Sequence, residues 1–105
     1  MSPTVWRLRF TATAARHAET IEGWWSENRA DAKGLFSEEL TQALERISHR
    51  PGVGVPYGDE VVPRLRRALL RATRYHVYYS VDAPERMVTI HAVWHAQRGR
   101  GPLLE

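Results

Sequence analysis

Three runs rich in aromatic and β-branched residues, divided by connectors of only a few residues, constrain this chain's fold more than any other feature. They are Arg67-Ala68-Leu69-Leu70-Arg71, Tyr75-His76-Val77-Tyr78-Tyr79-Ser80-Val81 and Met87-Val88-Thr89-Ile90-His91-Ala92-Val93-Trp94. A parallel neighbour needs a crossover of a dozen or more residues, so connectors this short predict an antiparallel meander. Asp82-Ala83-Pro84-Glu85 is the best-marked turn, because Pro and Asp punctuate two strand-like runs at hairpin distance.

Ahead of the meander the hydrophobic period changes twice. Val5-Trp6-Arg7-Leu8-Arg9-Phe10 alternates, with Trp6, Leu8 and Phe10 on one side, and reads as a half-buried strand. Ala14, Ala18, Ile21 and Trp25 then recur at spacings of four, three and four, predicting a helix capped by Thr11 or Thr13 and ending near Asn28. A second stripe of Phe36, Leu40, Ala43, Leu44 and Ile47 predicts another helix, with Asp31 as its cap and Pro51-Gly52 as its stop. Residues 52 to 63 are rich in Gly and Pro, lack either period and read as an exposed loop. The order β-α-α-β-β-β implies an α+β fold, an antiparallel sheet with two helices on one face, formed by residues 1–105 as a single domain.

Alternation assigns Ala68, Leu70, Tyr75, Val77, Tyr79, Val81, Val88, Ile90, Ala92 and Trp94 to the helix-covered face. The opposite face then carries Arg67, Arg71, His76, Tyr78, His91 and His95, with Arg98 and Arg100 just beyond the last strand. Such a set can grip phosphates through guanidinium groups, stack a base on Tyr78, or move a proton through His91 or His95. A solvated sheet face carries Arg and His routinely, so taken alone the same residues also describe an ordinary polar surface.

Charge supports a working surface in the second half. Residues 1 to 60 hold seven basic and nine acidic side chains, whereas 61 to 105 hold eight and three, and all basic residues but Lys33 are Arg. Planar, bidentate contacts to phosphate or carboxylate are implied, hence an acidic partner. With no Cys, disulfides and thiolate metal sites are excluded. His76, His91 and His95 lack a second ligand cluster at metal spacing, so neither a metal nor a cofactor is expected. His17 and His49 fall on helix exteriors and are read as inert; Trp6, Trp24, Trp25 and Trp94 are read as core or interface anchors. Glu19, Glu22, Glu38, Glu39 and Glu45 read as solvated helix faces. There is no Gly-rich phosphate loop, nucleophile elbow or zinc-finger spacing. Nothing resembles a signal peptide or a membrane span, so a cytoplasmic protein without a membrane partner is expected.

The chain resembles the RelE/ParE toxins of type II toxin–antitoxin systems, and most closely their ParE-like branch. The resemblance rests on Phe10-Thr11 before an Ala-rich helix, Phe36 to Leu44, Pro51-Gly52-Val53-Gly54 and Arg66-Arg67-Ala68-Leu69-Leu70. More specific still are Thr73-Arg74-Tyr75-His76-Val77-Tyr78-Tyr79 and the ending Val93-Trp94-His95-Ala96-Gln97-Arg98-Gly99-Arg100-Gly101-Pro102. It implies a growth-inhibiting toxin neutralised by a cognate antitoxin that supplies acidic and apolar residues, contacts operator DNA only through that antitoxin, and forms a homodimer or a heterotetramer with it. In the ParE branch the implied target is DNA gyrase, to be engaged here by Arg67, Arg71, His76, Tyr78, His91, His95, Arg98 and Arg100. In the RelE branch it is messenger RNA on the ribosome. The chain ends Pro102-Leu103-Leu104-Glu105 without a terminal Tyr and has a single Lys, a departure from the RelE pattern. If it is a ribonuclease, Arg67, Arg71, His91 and His95 are the catalytic candidates. A non-toxic antitoxin-binding or operator-binding module is the third expectation.

Overall fold

The computed structural model describes residues 5–59, 61–98 and 101–104. Strand β1 (Arg7–Phe10) leads through Thr11 into helix α1 (Ala12–Asn28). Thr11 is extended, and its side chain accepts from the Ala14 backbone N–H at 3.1 Å, satisfying a donor that the first helical turn leaves free. Helix α2 (Leu35–His49) follows a short 3₁₀ turn, Ala30–Ala32. Asp31 lies inside that turn and not at the α2 cap, a position taken by Gly34. Trp25 from α1 and Phe36, Leu40, Ala43 and Ile47 from α2 are buried against the sheet, as the two helical stripes require.

A second 3₁₀ turn, Pro51–Val53, ends α2 and leads into a two-residue strand β2 (Val55–Pro56). Strands β3 (Arg66–Leu70), β4 (Tyr75–Asp82) and β5 (Met87–His95) then form the expected meander, and the sheet order is β1-β5-β4-β3-β2. The sheet is mixed and not wholly antiparallel: β1 pairs with β5 in parallel, because the two helices between them form the long crossover that parallel pairing needs. Antiparallel pairing joins all the other neighbours.

The stretch expected to be an exposed loop is partly buried. Beyond β2 the chain folds over the sheet face opposite the helices, where Val62 and Leu65 pack on Tyr78 and Ala92, flanked by Tyr57, Trp94 and Leu104. The sheet therefore has two cores. The larger lies under the helices, and the smaller lies under this roof.

Candidate functional surfaces

A β-bulge decides where the expected site residues stand. Tyr78 pairs with Ala92 but Tyr79 pairs with Ile90, so His91 is one residue too many for the β4–β5 ladder. Before the bulge Val88 and Ile90 enter the helix-side core as alternation predicts; after it Val93 enters that core, and Ala92 and Trp94 join the smaller one. His95 is consequently turned to the helix side, its ring 5.1 Å from that of Tyr75, and not to the open face. Ala92 and Trp94 likewise leave the core assigned to them by strict alternation.

Tyr78 does lie on the face away from the helices, yet it is only 2% exposed because the roof covers it. Beside it, at the end of the sheet, Arg67, His76, Tyr78, Trp94, His95 and Arg98 surround a cavity of about 190 Å³ together with Tyr57 and Gly101. The Arg67 guanidinium sits 4.7 Å over the Tyr57 ring, and that of Arg98 sits 4.5 Å over Trp94. Stacking holds both cations in place at the rim without neutralising them. The His76 ring stands 6.0 Å from Tyr78. Burial, then the charges of Arg67 and Arg74, push its pKa below the ordinary value, so it is a neutral donor and acceptor at pH 7. Arg100 lies outside the described residues.

The other candidates stand elsewhere. Arg71 lies in a groove between α2 and β3, with Arg46, Arg67 and Arg74. Glu39, at that groove, is not a solvated carboxylate: it accepts from the backbone N–H groups of Ala72 (2.7 Å) and Thr73 (3.0 Å) and from the Thr73 hydroxyl (2.6 Å). His91 lies in a separate cleft with Arg9, Ser80 and Thr89, its Nε2 2.7 Å from Ser80 Oγ. Val62, Leu65, Tyr78 and Ala92 form one apolar cluster, with Val62 lining the His91 cleft and Tyr78 lining the Arg67 cavity. That plug separates the two.

A fourth surface holds Trp24 and Trp94, which are read from sequence as core or interface anchors. β1 ends at Phe10, beside Ile90, so the last residues of β5 have no strand on that side and α1 covers them. His17 is engaged there and not inert: its Nδ1 accepts from the Val93 backbone N–H at 3.2 Å, and its ring lies 5.4 Å from Trp94. Burial, then Arg16 and Arg98, hold its pKa low, which keeps Nδ1 free to accept. Next to it a groove of about 730 Å³ runs between Ile21 and Trp24 of α1 and Trp94 and Arg98. Trp24 is 49% exposed, whereas its neighbour Trp25 is buried and donates from Nε1 to the Tyr75 hydroxyl at 3.3 Å. Exposed Trp and Arg are the side chains enriched at protein interfaces, and the helical position of Trp24 off the core stripe is the signal the sequence offers.

Among the described residues no group of three or more His, Asp or Glu is placed to hold a metal ion, and no helix is long and apolar enough to cross a membrane.

No curated protein sequence matches the chain. Among solved structures it is similar to the RelBE2 toxin–antitoxin complex of Mycobacterium tuberculosis, at 23% identity and a TM-score of 0.65, covering 91% of this chain and 98% of that one. It is also similar to the chromosomal ParDE system of P. aeruginosa, at 16% identity and a TM-score of 0.69, covering 91% and 100%. The isolated E. coli RelE toxin is similar at 19% identity and a TM-score of 0.59, covering 90% and 88%. These likenesses establish the fold. The family model described as the ParE toxin of the type II toxin–antitoxin system parDE matches residues 8–99, and the chain therefore belongs to the ParE toxin family.

Proposed function

We propose that this toxin arrests growth by binding DNA gyrase through the basic rim formed by Arg67 and Arg98, and not by cleaving RNA. The observation that carries this reading is the dispersal of the ribonuclease candidates. Arg67 and His95 share one cavity, Arg67 and Arg71 share another groove, and His91 lies behind the apolar plug in a third cleft. General acid–base cleavage needs its proton donor, base and phosphate grip within hydrogen-bond reach of one scissile group. Two immobilised guanidinium groups around one small cavity suit a protein surface instead, since Arg stacked on aromatic rings is a recurrent interface anchor.

A cognate antitoxin belongs to the same proposal. Its acidic and apolar residues fit the groove of Ile21, Trp24 and Trp94 flanked by Arg16 and Arg98, and the similar M. tuberculosis and P. aeruginosa structures are of toxin–antitoxin systems. The deciding experiment pairs a gyrase supercoiling assay with ribosome-bound messenger cleavage, using the purified toxin and its Arg67→Ala variant. Loss of supercoiling that Arg67→Ala restores, with messenger intact, is expected. Codon-positioned cleavage with normal supercoiling would instead identify a ribonuclease, and no growth arrest on induction would leave a binding module alone.

A further inference from the structure

The His91 cleft is left unused by the gyrase and antitoxin surfaces, yet it gathers donors in an ordered way. Arg9 pairs in register with Thr89, and Thr89 with Ser80, so one row of side chains crosses three strands on the face away from the helices. Adjacent strands lie about 4.8 Å apart, so Arg9 and Ser80 stand on either side of Thr89 in that row. The Arg9 Nε–H donates to Thr89 Oγ1 at 2.9 Å. That bond fixes the guanidinium plane and leaves its two terminal amino groups to donate elsewhere. The Ser80 hydroxyl is held by His91 Nε2 at 2.7 Å. His91 Nδ1 is enclosed and has no hydrogen-bond partner among the described residues.

Arg64 lines the cleft from the roof, and its φ of 57° fixes an uncommon backbone turn there. Among the described residues two carboxylates are near, and one oxygen of each accepts from the chain's own turns. Asp59 Oδ1 accepts from the backbone N–H groups of Val61 and Val62 at 2.8 and 2.9 Å, and Asp82 Oδ1 accepts from that of Glu85 at 3.2 Å. Among the described residues neither Arg9 nor Arg64 is hydrogen-bonded to a carboxylate. Its volume is about 530 Å³, far more than a bare oxyanion fills, and Val61, Val62, Pro63, Val81 and Pro84 give it an apolar wall.

We propose that this cleft binds a phosphate monoester, with the phosphate on Arg9, Ser80 and Arg64 and the organic part against the Val61–Pro63 wall. With guanidinium-bearing residues lining the cleft from both the sheet and the roof, a tetrahedral dianion can be contacted from two sides, which a planar carboxylate would not require. The site is independent of the gyrase reading and survives its failure.

The test is an amide NMR titration of the full chain with ribose 5-phosphate, inorganic phosphate and an oligonucleotide lacking terminal phosphates. Ribose 5-phosphate is expected to shift Ser80, Thr89 and His91 saturably, and Arg9→Gln to weaken it about tenfold through loss of one charge-assisted contact. Arg9 is exposed, so that variant keeps its melting temperature; Ser80→Ala weakens binding in the same sense. Tighter binding of the sugar phosphate than of inorganic phosphate is expected; equal affinity would overturn the monoester assignment and leave a site for the free ion. Absence of saturation at millimolar ligand, indifference to Arg9→Gln, or a response to the oligonucleotide alone would overturn it.

Discussion

Tyr79 joins the two layers of this protein through one hydroxyl, which donates to the Pro51 carbonyl at 2.7 Å and accepts from the Gly54 N–H at 2.8 Å. Burial raises its pKa above the usual phenol value, so it remains a donor at all working pH. A Cβ on Gly54 would stand 2.5 Å from that hydroxyl, which is why the close approach needs glycine there. Tyr79→Phe leaves a buried N–H without a partner, and we expect a loss of about 1–3 kcal/mol, read as a lower urea midpoint at unchanged slope. A midpoint equal to the parent's would mean that the hydroxyl is dispensable. Glu39 does comparable work at the β3–β4 turn. Burial alone would raise its pKa, but hydrogen bonds from Thr73 and Ala72 and the charge of Arg46 outweigh it, and the net shift is downward.

At the scale of elements, the bulge at His91 matters more than any single contact. It sends Val93 and His95 to the helix side and Ala92 and Trp94 to the roof side. Deleting His91 would restore strict alternation and exchange those two pairs, turning Trp94 into the helix-side core and Val93 out of it. We expect the deletion variant to lose near-ultraviolet circular dichroism and cooperative melting, whereas His91→Ala, which keeps the extra residue, retains both. A cooperatively folded deletion variant would show that the register is set elsewhere. The short strand β2 and the roof after it behave as one unit with β3, since the Tyr57 N–H donates to the Leu65 carbonyl at 2.8 Å.

Across the whole molecule, acid should act in two stages. His17, His76 and His91 all have pKa values lowered below 6.5, first by burial and then by nearby arginines. Each is neutral in the folded state and gains its proton more readily unfolded, so this stability is complete above about pH 6.5 and is lost as pH falls through the lowered native values. Glu39, lowered from 4.5, adds stability that is present above that value and disappears on further acidification. A melting temperature that falls on going from pH 7 to 5 by about the same amount in a His17→Gln/His76→Gln/His91→Gln variant would contradict the first stage. Antitoxin binding to the folded state alone must raise the melting temperature. We expect Trp24→Ser to reduce that rise without altering the free toxin, because Trp24 is half exposed and off the core stripe; an undiminished rise would place the antitoxin elsewhere.

Local patterning was enough to show the two helices, the three-strand meander and most of the helix-side core, because period and turn chemistry act over a few residues. Phe36, Leu40, Val77 and Ile90 are buried as their spacing requires. The parallel docking of β1 on β5, the roof of Val62 and Leu65, and the engagement of His17 were not legible, since each joins residues far apart in the chain and none leaves a local period. The surface residues were legible as types and not as a constellation. One unpaired residue in a nine-residue strand shifts everything after it to the other face, and the reason for that residue lies in how β5 must meet β4 and the roof together, which only the assembled sheet decides.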